Sequence, residues 1–296
     1  MLNLTDKKLE GSNDDDWLEL VVSSRCTQAE TISEISERLE SRYEDYDDII
    51  ESPASDPDTS EFISFIDSLK RSYEKPPTKL KKKISYLRNE HGLIQCPFCG
   101  RPCKPRILDH FLPKDKWPEF SIFPNNLVQQ CDTCSSRKWK HYYCNEEKSV
   151  KYIHPKYYDY LSLINISIAI NVHDEENLKN ATLKHEYRVI GTTSPEEKKR
   201  IILHIKELNI SECIQKYIYS KYNDIINKVR ERNADYLVLL RETIASTPPT
   251  FAPSNWEIAL YEAMINNPII VGYFENNKPT GDSSHRDRND GEILGI

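Results

Sequence analysis

The stretch CPFCGRPCKPRILDHFLPKDKWPEFSIFPNNLVQQCDTC, residues 96–134, decides the fold. Two C-x-x-C pairs bound it, Cys96/Cys99 and Cys131/Cys134, with 31 residues between Cys99 and Cys131. Matched pairs of this kind are the pattern of a four-thiolate Zn2+ site. Four unrelated buried cysteines give no reason for matched pairs. With sulfur at every tetrahedral position, no position stays open for water or substrate, so this zinc is structural and lends its binding energy to folding. Pro97 and Gly100 suit the tight turn of a knuckle. Cys103 is a spare ligand candidate, while Cys26, Cys144 and Cys213 read as core residues or free thiols. Chemistry, if any, has to come from the residues between the pairs.

Charge is distributed unevenly around this stretch. The chain of 296 residues has a formal net charge of −7. Residues 1–61 hold 5 Lys/Arg against 18 Asp/Glu, a balance of −13, whereas residues 62–148 hold 17 against 9, a balance of +8. Residues 149–296 are near neutral, with 18 against 20. The basic block coincides with the cysteine pairs, which suits an anionic partner, nucleic acid being the usual one. Charge alone is better explained by a solvated face. No apolar run reaches the length of a bilayer span, so no membrane association is expected. The acidic start MLNLTDKKLEGSNDDDW lacks the apolar core of a signal peptide. The expected compartment is therefore cytoplasmic, where eight cysteines argue for metal binding over disulfides.

Between the pairs, Asp109-His110 is followed by Leu112-Pro113-Lys114, then by Pro124-Asn125-Asn126-Leu127-Val128, and the second pair leads into Arg137-Lys138. In these residues the chain resembles the HNH, or ββα-metal, endonucleases that carry a four-cysteine zinc frame. The resemblance covers roughly residues 96–140, with a weaker echo at IHPKYYDYL, residues 153–161. It implies an α+β fold with a ββα-metal core and a metal-dependent hydrolysis of DNA phosphodiester bonds. It assigns His110 as general base, Asp109 as ligand of a catalytic Mg2+ or Mn2+, and Asn126 as the residue that pins the loop carrying His110, with Asn125 as the rival for that role. The residues suit the chemistry. A histidine near neutral pKa can take a proton from water, and Mg2+ keeps several waters in a carboxylate-poor site. Asp109 and His110 are neighbours on a strand, however, so they point to opposite faces unless the strand bends. Without the frame, an Asp-His pair reads as a surface turn or a satisfied core histidine.

The third motif position departs from the family. Ser135 stands where Asn or His is usual, and a hydroxyl is a weaker, shorter-reaching metal ligand. His141 is no ready substitute, because six residues carry it about 600° around a helix. Lys114, Lys116, Arg137, Lys138 and Lys140 are candidate nucleic-acid contacts, although each alone reads as surface solubility. Trp117 and Trp139 read as packing beside the zinc. Two further readings stand beside the nuclease: a zinc-ribbon subunit that binds nucleic acid or protein with weak or no catalysis, and a partner-docking subunit. Nucleases of this look occur in bacterial antiviral defence, including Septu-type systems that pair them with an ATPase, so the resemblance also implies DNA and an ATPase as partners.

Outward from the frame, four parts are expected: an acidic helical region at 1–75, the zinc-framed core at 76–150, an α+β region at 151–274, and a disordered tail at 275–296. Ile32, Ile35, Leu39 and Tyr43 predict one amphipathic helix. Phe62, Phe65, Ile66 and Leu69 predict a second, and KLKKKISYLRNE a third. Ile164 through Val172 alternate, as do Leu183 through Val189, which predicts two strands that pair. Ser194-Pro195-Glu196-Glu197 predicts a capped helix start. Ile214 through Val229 keep helical spacing, and Ser254-Asn255-Trp256-Glu257 predicts a capping box. The acidic region could lie over the basic block and mimic nucleic acid until displaced.

Overall fold

The computed structural model describes residues 1–9, 16–231 and 234–279. Among the described residues, six α-helices precede the frame: α1 (Trp17–Val22), α2 (Ala29–Glu34), α3 (Ser36–Glu44), α4 (Tyr46–Glu51), α5 (Ile66–Glu74) and α6 (Thr78–Asn89). The single helix expected over residues 32–43 is two, because Ile35 leaves helical geometry at φ −115°, ψ 7° and lets α2 and α3 turn against each other. Inside the frame lie β1 (Ile107–His110), β2 (Leu127–Gln130) and α7 (Asp132–Lys138). β1 and β2 are antiparallel, with Asp109 opposite Val128 and His110 opposite Leu127.

A small hairpin follows, β3 (Tyr143–Cys144) with β4 (Ser149–Val150), and then a long one, β5 (Ile164–Asn171) with β6 (Thr182–Val189). The alternating isoleucines of β5 bury Ile164 and Ile166. After β6 come α8 (Pro195–Glu207), α9 (Ile210–Val229), α10 (Tyr236–Ser246), α11 (Trp256–Ile265) and α12 (Pro268–Asn276). Ser194 caps α8 in a full capping box with Glu197. At α11 the cap is Asn255 rather than Ser254, since the Asn255 Oδ1 accepts from the Glu257 and Ile258 amides while the Ser254 hydroxyl donates to the Met1 carbonyl. Pro268 opens α12, for which α11 stops first, so helix continues to Asn276. The disordered tail expected at 275–296 lies outside the described residues from 280 onward. The architecture is α+β, with three separate two-stranded sheets among the described residues. Among the described residues, no helix is long and apolar enough to cross a membrane.

The β1–β2 hairpin divides the two main apolar cores. Leu108 and Leu127 face a core built with Trp17, Leu18, Val21, Ile32, Leu39, Phe62, Leu80 and Ile84. Val128, on the other face, joins the core that holds the four frame cysteines, Phe98, Trp256 and the inward side of α9. The acidic region is thus built into the fold by its apolar residues, and its ion pair with the basic block at α6 is Asp16 to Lys83.

Candidate metal centre and the strand beside it

The first knuckle turns tightly. The Gly100 amide donates to the Cys96 carbonyl at 2.9 Å and the Cys96 amide to the Arg101 carbonyl at 2.9 Å. Gly100 sits at φ +77°, and a Cβ there would meet the Ser254 carbonyl oxygen at 2.0 Å, so only glycine fits. In the second knuckle Cys131 is the N-cap of α7, with its Sγ accepting from the Cys134 amide at 3.4 Å. The Cys131 amide in turn donates to the Cys96 Sγ at 3.4 Å.

All four Sγ atoms lie within 4.8 Å of one another and all four residues are buried. Cys99 and Cys131 Sγ are 3.8 Å apart. Tetrahedral Zn–S bonds of ~2.3 Å require sulfur edges of about 3.8 Å, so the donor set fits zinc. Burial pushes the Cys99 thiol up, and the Cys131 thiol does so first for Cys134. A cation resolves that crowding by taking the thiolate form. Cys103 is only half-buried and falls outside the quartet.

On β1 the pleat holds, and no bend brings Asp109 and His110 together. His110 faces the helical core, where its ring packs edge-on to Tyr73 at 4.4 Å and its Nε2–H donates to the Ser121 carbonyl at 2.9 Å. That bond fixes the tautomer and leaves Nδ1 as the basic nitrogen. Burial, only partly opposed by the Ser121 bond, lowers its pKa to about 3, so the ring is neutral throughout the physiological range.

Asp109 faces the other way, toward α7. There the fully buried Lys138 sets its Nζ 3.1 Å from Asp109 Oδ2 and donates to the His110 carbonyl at 2.5 Å. Burial lowers the Lys138 pKa, and Asp109 opposes that. Asp109 Oδ2 makes no directed hydrogen bond, so the ammonium meets it as a charge. Ser135 precedes Lys138 by three residues and shares its side of α7. The Asp109 carboxylate has an ammonium 3.1 Å away on its α7 side. α7 also ends sooner than expected: Trp139 takes φ +38° and His141 lies beyond the helix, so the helical angle argued for it does not apply.

Asn126, not Asn125, ties the loop after His110. Its Oδ1 accepts from the Leu112 amide at 2.7 Å and from the Tyr46 hydroxyl at 2.9 Å. Its Nδ2 donates to the Leu112 and Phe120 carbonyls at 3.1 and 3.0 Å. Asn125 instead exchanges both of its amide bonds with Leu9. The echo at residues 153–161 supplies the support beneath. His154 bonds to the Asn125 carbonyl at 3.1 Å, and the buried Lys156 donates to the Pro124 carbonyl at 2.8 Å, with burial bringing its pKa down to about 7. Sequence reasoning gave neither residue a role. The signal was there in two ionisable groups set among tyrosines and apolar residues.

The five candidate nucleic-acid contacts are mostly engaged within the protein. Lys138 is fully buried, which corrects its reading as a phosphate contact. Arg137 donates to the Leu208 and Asn209 carbonyls at 2.5 and 2.8 Å, where α8 meets α9. Lys114 pairs with Glu74 at 2.7 Å. Lys140 pairs with Asp115 at 2.7 Å, and with Lys70 it draws the Asp115 carboxyl down to about 2. Lys116 is exposed beside the Trp117 ring. Trp117 is buried as expected, but Trp139 is 63% exposed.

Protein ea31 of Escherichia phage lambda is 49% identical to this chain over 41 residues, which is 14% of each protein. The match therefore spans a small part of that relative's length. No family model matches the chain. No solved structure matches it.

Proposed function

We propose that this protein is a zinc-framed binding subunit that engages nucleic acid with weak or no hydrolytic activity. The observation that carries the reading is Lys138. Its buried ammonium lies against Asp109 and the His110 carbonyl, on the side where a divalent ion bound by Asp109 would be placed. A fixed positive charge there repels a second cation, and Ser135 brings no amide or imidazole to compete for one. The separation of Asp109 and His110 onto opposite faces of β1 supports the same reading. Nucleic acid as partner rests on the +8 balance of residues 62–148.

A second reading, a metal-dependent DNA endonuclease acting in phage defence, draws support from one arrangement. A β-hairpin carries Asp109 and His110, a helix follows it, and the four-bond Asn126 clamp holds the loop between the strands. The two readings part on plasmid DNA incubated with Mg2+ or Mn2+, wild type against His110→Ala. The binding-subunit reading expects retention of DNA with at most trace nicking that does not depend on the metal or on His110. Metal-dependent cutting that His110→Ala abolishes would overturn it in favour of the nuclease.

A further inference from the structure

The nucleic-acid reading leaves open which surface does the binding, since α7 and the 112–120 loop spend most of their cations internally. α6 does not. Its apolar residues Leu80, Ile84 and Leu87 turn inward over the back of the β1–β2 hairpin, and the Leu87 carbonyl accepts from the Gln129 side chain at 2.7 Å. That holds the helix in place and leaves Lys79, Lys82, Lys83 and Tyr86 on one outward side, within about 100° of arc and about 10.5 Å of length. Among the described residues, neither Lys79 nor Lys82 has an ion pair. Lys83 is held by Asp16, the N-cap residue of α1. Tyr86 is 68% exposed, an unusual place for a large ring unless it stacks.

Resting on the binding-subunit reading, we infer that this ridge of α6 is the nucleic-acid contact, and that it takes a single-stranded segment. Lys79 and Lys82 hold successive phosphates while one base stacks on Tyr86. Lysines alone would suit any polyanion; an exposed ring among them selects a strand whose bases are free to stack.

The test uses the full-length, zinc-loaded protein and two labelled probes, an oligo-dT strand and a mixed-sequence duplex, followed by fluorescence anisotropy over a salt series. Tyr86→Ala should weaken strand binding about tenfold and leave the duplex unchanged. Lys79→Glu with Lys82→Glu should weaken the strand at least tenfold and reduce its salt slope by about 1.4. Lys140→Glu, at a lysine already paired with Asp115, should stay within about twofold. If the wild type binds the strand and the α6 variants bind it equally well, the ridge is wrong and the binding-subunit reading stands. Duplex preference that is indifferent to Tyr86 also overturns the single-strand assignment. If the wild type binds neither probe, the nucleic-acid reading falls, and the ridge with it.

Discussion

Replacing Lys138 with methionine separates the charge of this residue from its bulk. Methionine keeps the unbranched shape, so little cavity should open. What it removes is an ammonium 3.1 Å from Asp109 Oδ2 and a donor to the His110 carbonyl. At an effective dielectric of ~20 the gross attraction across 3.1 Å is roughly 5 kcal/mol. Relief of the lysine's own desolvation returns several kcal/mol of that. Against this gain stand a carboxylate left unpaired with its side chain 21% exposed, and a carbonyl without its donor. The net expectation is a loss of about 2–4 kcal/mol, or a Tm lower by roughly 5 °C or more. Lys138→Met with Asp109→Asn should recover part of that loss, because no charge is then stranded.

Lys138→Met also vacates the position that an ion would take. Mn2+ should therefore raise the Tm of Lys138→Met with increasing concentration, logarithmically above its Kd, and leave the wild type unmoved. Thermal denaturation of the wild type and the two variants, with and without Mn2+, reads every term. A Lys138→Met protein as stable as the wild type, or one that responds to Mn2+ no more than the wild type does, would refute the claim that this ammonium occupies a cation's place.

Metal analysis should find one zinc per chain, and cobalt substitution should give thiolate charge-transfer absorption; Cys131→Ser should lose both and fail to fold cooperatively. Stability should fall in acid. His110 and His154 are buried with pKa values pushed far below the ordinary 6.5, so the unfolded chain binds their protons first. Their contribution is complete above about pH 6.5 and shrinks by about 1 kcal/mol each by pH 5.5, which urea titrations at the two pH values would detect; equal stability at both would contradict their burial. Asn126→Ala strips four hydrogen bonds from a fully buried position and should cost on the order of 3–5 kcal/mol, read by urea denaturation, whereas Asn125→Ala should cost less.

What was legible in the sequence was local. The paired cysteines, the alternating isoleucines of β5 and the Ser194-Pro195 start of α8 each carry their signal within a few residues, and the structure has each of them as expected. The direction of a lone ionisable side chain was not legible. Lys138 reads like Arg137 and Lys140 in a basic run, and only the packing of α7 on β1 turns it inward. Asn125 and Asn126 are identical in type and adjacent. Their roles part because a 3-10 turn at Pro124–Asn126 aims one side chain at Leu9 and the other at Leu112. The Ile35 break was hidden as well, since a residue that is apolar and at helical spacing gives no sign that the chain bends there.

The zinc frame matters beyond its own four ligands because distant parts of the chain fasten to its backbone. The Trp256 indole donates to the Cys99 carbonyl at 2.7 Å, the His204 ring bonds to the Phe98 carbonyl at 2.8 Å, and the Leu2 amide donates to the Pro97 carbonyl at 3.0 Å. These three bonds use carbonyls of one knuckle and come from α11, from α8 and from the start of the chain. A carbonyl can serve such partners only while the turn that aims it is rigid, and the turn is rigid only while its cysteines are held. Losing the metal should therefore loosen α8 and α11 together with the knuckle, although neither helix contributes a ligand. The frame holds β1, β2 and α7 in place for reasons of folding, and those reasons remain whatever chemistry the strand performs.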